Sequence, residues 1–215
     1  MAGGRHMAIR WELTVAILTL ASGHASGRSE SGDERRLAAM TPAQFQARTT
    51  LHDDDLDTIA TITTADRFTK RSPLLGIAPD DVFLRAFIDK RSGRTAYQVY
   101  TTVRYRDYGW AEWQAVNYAT PTGPRSIATQ KIARVRASCS RGLACARSES
   151  VGFTIDAALL KMNAALYVTD QSSAWRFKLM AHNGAERPLL LTTAEISGLL
   201  MAVDAYRTDR HLPKS

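Results

Sequence analysis

The sequence predicts a mainly β fold of the β-rich α+β kind: an antiparallel meander folded as a two-layer sandwich, with a C-terminal amphipathic helix. Three observations carry this expectation. From residue 57 onward, helical periodicity gives way to β-branched runs and two-residue alternation, the pattern of half-buried strands. Short turns rich in Gly, Asn and Asp join these runs, which suits antiparallel neighbours and is too short for a parallel crossover. Finally, Ile196, Leu199, Leu200, Val203 and Tyr206 form one apolar stripe at helical spacing. Strands of unequal length, interrupted by helices, favour a sandwich over a closed barrel.

The elements follow in order. Thr41-Pro42-Ala43-Gln44 offers an N-cap, a proline at the first helical position and a glutamine three residues after the cap. A short helix is expected over 42–48. Thr58 to Thr64 is β-branched and reads as a strand. Next, Val82, Leu84, Ala86 and Ile88 share one face, with Phe83, Arg85, Phe87 and Asp89 on the other. Lys90 to Arg94, containing Gly93, is a hairpin loop. The following strand sends Tyr97, Val99, Val103 and Tyr105 one way and Gln98, Tyr100, Arg104 and Arg106 the other. Asp107-Tyr108-Gly109 then turns the chain into a strand from Trp110 to Ala119, which Pro121-Thr122-Gly123-Pro124 ends.

A long strand from about Ile127 to Cys139 is expected to pair with Leu143 to Ile155, setting Ala133 opposite Val151. Residues 157–167 favour a helix. Trp175, Phe177, Leu179 and Ala181 alternate with polar residues, and Asn183-Gly184 makes a hairpin turn into Pro188 to Leu191. Thr192-Thr193-Ala194-Glu195 is a capping box for the closing helix. There is no internal repeat.

The N-terminus has the order of a secretory signal peptide. Arg5 and Arg10 precede the apolar run Leu13 to Ala21, and small residues at Ser22, Gly23, Ala25 and Ser26 follow. The run is far shorter than the roughly 20 residues that cross a bilayer core, so a cleaved leader is expected and a membrane anchor is not. Cleavage fits after Ala25 or after Gly23, and Met7 is an alternative start. The expected organisation is a leader over 1–25, a flexible small-and-charged segment over 26–40, and one mainly-β domain over 41–210. Export places the chain in the periplasm or outside the cell.

Under oxidising conditions Cys139 and Cys145, the only cysteines, are expected to close a hairpin disulfide across a five-residue loop. The spacing differs from a reactive Cys-x-x-Cys pair, and no histidine lies near enough in sequence to complete a zinc site.

Motifs for chemistry are sparse. Asp53, Asp55 and Asp57 have the start of a calcium-loop spacing, but Thr58 stands where glycine is needed and Thr64 where a bidentate glutamate is needed. The cluster reads as a solvated acidic loop. His52 beside Asp53 lacks a nucleophile motif, and phosphate-cradling glycine loops and His-Glu-x-x-His are missing from the sequence. No catalytic residue, metal or cofactor is expected.

Two features remain. The chain carries 28 Lys and Arg against 21 Asp and Glu, a net charge of +7, which loss of the leader lowers by one. Tyrosine and tryptophan concentrate between 97 and 118. Tyr100, Arg104, Arg106, Tyr108 and Trp110 are therefore the candidate binding residues: exposed rings beside arginines stack on sugars or anchor a protein. Arginine is spread along the chain without a clustered stripe, which argues against nucleic acid. The expected role is a non-catalytic envelope or secreted binding module for an anionic glycan or a protein partner. Two alternatives stand beside it: an assembly or adhesion component pairing through a sheet edge, and a hydrolase whose site forms only in three dimensions.

Overall fold

The computed structural model describes residues 39–64, 80–107, 109–136, 145–169, 171 and 173–213. The elements are α1 (Pro42–Gln46), β1 (Thr50–His52), β2 (Ile59–Thr63), β3 (Asp81–Asp89), β4 (Thr95–Asp107), β5 (Trp113–Thr120), β6 (Gly123–Ala128), β7 (Gln130–Arg136), β8 (Cys145–Ile155), α2 (Ala157–Ala164), β9 (Ala174–Ala181), β10 (Glu186–Thr192) and α3 (Thr193–Asp209). The strands make two antiparallel sheets packed as a sandwich, one ordered β1-β2-β3-β4-β8-β7 and the other β10-β9-β5-β6. The predicted class is the observed one. No described helix is long and apolar enough to cross a membrane.

Alternation builds the core as expected. Leu84, Ala86 and Ile88 of β3 are buried, as are Tyr97, Val99 and Val103 of β4 and Trp175, Phe177, Leu179 and Ala181 of β9. Phe153 of the larger sheet meets Phe177 of the smaller edge-on, with centroids 5.5 Å apart. Burying each such side chain stabilises the fold by roughly 1.5–3 kcal/mol. The four-stranded sheet is too narrow to cover six strands, and α3 completes that layer: it packs against β2 and β3, with Ile196, Leu199 and Val203 in the same core. In turn α1 seats on α3, where Gly198 leaves room for it. A Cβ there would lie 2.5 Å from Phe45 Cβ and 2.7 Å from the Pro42 carbonyl oxygen.

The turns obey their chemistry. Gly93 (φ 69°) closes β3 to β4 and Gly184 (φ 83°) closes β9 to β10, both in the left-handed region that glycine enters freely. The α1 capping box forms in full, with the Thr41 hydroxyl accepting from Gln44 N and the Gln44 side chain accepting from Thr41 N.

Several expectations are corrected. The single strand from Ile127 is two strands in different sheets, because the chain turns a corner at Thr129. There the Thr129 N–H donates to the Gln114 carbonyl at 3.0 Å, and its hydroxyl to the Trp113 carbonyl at 2.7 Å. A bulge between Lys131 and Ala133 then shifts the register, so Ala133 faces Ser150 and Lys131 faces Val151. The strand predicted from Trp110 begins at Trp113, since the N–H groups of Ala111 and Glu112 are taken by the Glu149 carboxylate and not by a neighbouring strand. Helix α2 ends at Ala164, three residues early. At α3 only half of the capping box forms: the Thr192 hydroxyl accepts from Glu195 N, while the Glu195 carboxylate turns inward to Thr64.

Each sheet edge carries a device that discourages pairing with another chain. β7 is bulged and bears Lys131, Arg134 and Arg136, β1 has three residues, β6 contains Pro124, and β10 contains Pro188. The expected leader over 1–25, most of the 26–40 segment and Cys139 lie outside the described residues. Cys145 opens β8, across from Asp107 of β4.

Candidate ligand-binding face

Strand parity decides what the larger sheet shows on the face opposite the core. Phe83 of β3 stands directly across from Tyr100 of β4, and their rings stack 5.2 Å apart at 5°. Arg85, two residues along β3, holds its guanidinium carbon 4.7 Å from the Tyr100 centroid and 5.9 Å from that of Phe83. Its Nε donates to Thr63 Oγ1 at 3.0 Å. Cross-strand aromatic pairing and cation–π attraction together immobilise a long side chain that solvent would otherwise leave mobile.

Tyr100 is also seated on the far side. It pairs in register with Gly152 of β8, where a Cβ would lie 3.6 Å from the Tyr100 ring and from Ile132 Cδ1. Its hydroxyl donates to Gln98 Oε1 at 2.7 Å. Farther along β4, Arg104 and Arg106 share this face, beside the small side chains Ala146, Ser148 and Ser150 of β8. The Arg104 main-chain N–H donates to Asp80 Oδ1 at 3.0 Å, and Asp80 is ion-paired to Arg187 of β10. The carboxylates of β3 on this face, Asp81 and Asp89, stand at the two ends of the strand. Asp89 is turned into its own hairpin loop, accepting from Arg91 N and Ser92 N.

Trp110 lies elsewhere. Two guanidiniums lie over its ring, Arg147 at 4.7 Å and Arg134 at 5.2 Å, on the core-facing side of the same sheet beyond the end of the core. Glu149 of β8 anchors the arrangement. Oε1 accepts from Ala111 N at 2.9 Å, from Glu112 N at 3.1 Å and from the Tyr105 hydroxyl, while Oε2 accepts from Arg134 Nε at 3.2 Å. Two successive N–H groups converge on one carboxylate oxygen, the way a backbone concavity holds an anion, and Glu112 itself adopts a left-handed conformation (φ 57°). Burial, then the hydrogen bond to Glu149, pushes the Tyr105 hydroxyl up to about 12.

The chain matches no protein-family model, and no curated protein or solved structure matches it significantly. Its chemistry therefore has to be read from its own geometry.

Glu112 and Glu149 share Arg134, which donates to Glu112 Oε1 at 3.1 Å through Nη2. As a glycosidase pair they are poorly arranged. A general acid needs a raised pKa, yet the Arg134 hydrogen bond holds the Glu112 carboxyl below its ordinary value. Glu149 is 2% exposed and saturated with donors. The cluster ties Ala111 and Glu112 to the sheet. The Asp53 loop is likewise structural: the Asp53 carboxylate takes Lys90 at 2.7 Å, Arg210 at 2.6 Å and the Tyr206 hydroxyl at 3.0 Å. The Lys90 hydrogen bond is the largest influence holding its carboxyl below the usual range. Among the described residues no group of His, Cys, Asp or Glu is arranged to hold a metal.

The five sequence-derived candidates thus do not share one surface. Tyr100, Arg104 and Arg106 share the face opposite the core, Trp110 is clasped on the other side, and Tyr108 lies outside the described residues. Arg85, Arg134, Arg147 and Glu149 were missed. The signal for Glu149 was parity, since it is in phase with Val151 and Phe153 and so points inward.

Proposed function

We propose that this chain is an exported, non-catalytic binding module that takes an anionic glycan on the outer face of its six-stranded sheet. The observation that carries the reading is the Phe83–Tyr100 stack with Arg85 over it, in line with Arg104 and Arg106. Aromatic faces accept the C–H side of sugars, and guanidiniums beside them supply the complementary charge. The alternative of assembly through a sheet edge is less well supported, because each edge is bulged, basic, short or proline-bearing. Export and the Cys139–Cys145 bond belong to the same proposal, resting on the leader pattern and on the cysteine spacing.

The test is retention of the mature protein on immobilised polygalacturonate in a salt gradient. Salt should weaken retention, and the double variant Arg104→Ala/Arg106→Ala should weaken it about tenfold. Arg125→Ala, on exposed β6 of the other sheet, should elute with wild type. Equal losses for both variants would reduce the effect to net charge and sink the assignment of this face.

A further inference from the structure

We propose that Arg85 is the residue that reads the ligand, and that it reads a carboxylate: a uronic-acid unit gripped end-on by the two terminal nitrogens of the guanidinium. This rests on the glycan reading above and names the chemical class and the contact within it. Arg85 Nε is already committed to Thr63 Oγ1, and the guanidinium lies over the Tyr100 and Phe83 rings. Neither Nη atom has a partner among the described residues. The side chain is therefore fixed at its inner nitrogen and open at its outer pair, a fork whose spacing matches the two oxygens of one carboxylate.

Pre-organisation is why Arg85 leads. A side chain ordered before binding loses little freedom when the ligand arrives, whereas Arg106, exposed near the end of β4, must be ordered by it. Arg85 also stands where charge and ring meet. A sugar whose carboxylate docks on the fork lies along the outward rims of the adjacent Phe83–Tyr100 pair, so one residue fixes both identity and position. Arg104 and Arg106 then supply attraction along the chain without selecting the anion.

The experiment measures binding of wild type, Arg85→Lys and Thr63→Val to three polymers: polygalacturonate, its methyl ester and dextran sulfate. Wild type should bind polygalacturonate and lose at least tenfold on the ester, which keeps the sugar and removes the charge. Arg85→Lys keeps the positive charge and the fold but cannot grip two oxygens at once. It should lose about tenfold on polygalacturonate and less than threefold on dextran sulfate. Thr63→Val, which frees Nε, should fall between wild type and Arg85→Lys. Undiminished binding by Arg85→Lys overturns the role of Arg85 while leaving the module reading intact, and so does equal loss on both charged polymers. Wild type that binds none of the three overturns the module reading itself.

Discussion

Glu195 stands in the first turn of α3 with its carboxyl buried, accepting a short hydrogen bond from the Thr64 hydroxyl. Burial raises its pKa, the Thr64 bond opposes that, and repulsion from Asp81 adds to it, leaving the group at about 8. A raised carboxyl favours folding in its protonated form. The contribution is full below the unfolded value near 4.5, declines as pH rises from there, and is lost once pH passes about 8. Its size is on the order of a few kcal/mol. Glu195→Gln, a permanent mimic of the protonated form, should match wild type in Tm near pH 4.5 and exceed it increasingly up to pH 8. Parallel Tm curves for the two proteins across that range would refute the account. The sequence shows Glu195 only as a capping residue, because its true partner is 131 positions away.

At the level of elements, most of the chain was legible where one face of a strand is buried. Parity alone assigned the inward residues of β3, β4 and β9, since a one-residue slip would turn a whole apolar set into water. It failed at 127–136, where the apolar pattern runs on while the chain changes sheets, because the corner at Thr129 is held by β5 and not by local residues. Helix α3 has a similar hidden constraint at Gly198. Replacing a helical glycine by alanine ordinarily gains about 1 kcal/mol. Here the added Cβ would meet Phe45 and Pro42 at under 3 Å, so Gly198→Ala should instead destabilise by about 1–3 kcal/mol. Chemical denaturation gives the sign, and hydrogen exchange should show the loss concentrated in α1. A stabilised Gly198→Ala would mean that α1 moves aside at no cost.

For the molecule as a whole, two layers arise because six strands and four cannot close without the C-terminal helix filling the gap over β2 and β3. Compartment and cross-link belong to this scale as well. Intact mass of protein recovered from a bacterial envelope fraction should correspond to a chain beginning near residue 24 or 26, with both thiols protected until reduction. The bond would close a short loop and add about 2 kcal/mol in the chain-entropy view. A full-length chain with two reactive thiols would remove export and the bond together.

Charge, the leader pattern, the strand alternation and the closing helix stripe are all local or compositional, and a linear reading recovers such features. Burial of Glu195, the corner at Thr129, and the separation of Trp110 from Tyr100 depend on which strands lie side by side. Arg85 marks the boundary most clearly. Its place opposite the core follows from parity, but its fixed fork exists only because β2 supplies Thr63 and β4 supplies Tyr100, two contacts that pairing in space creates.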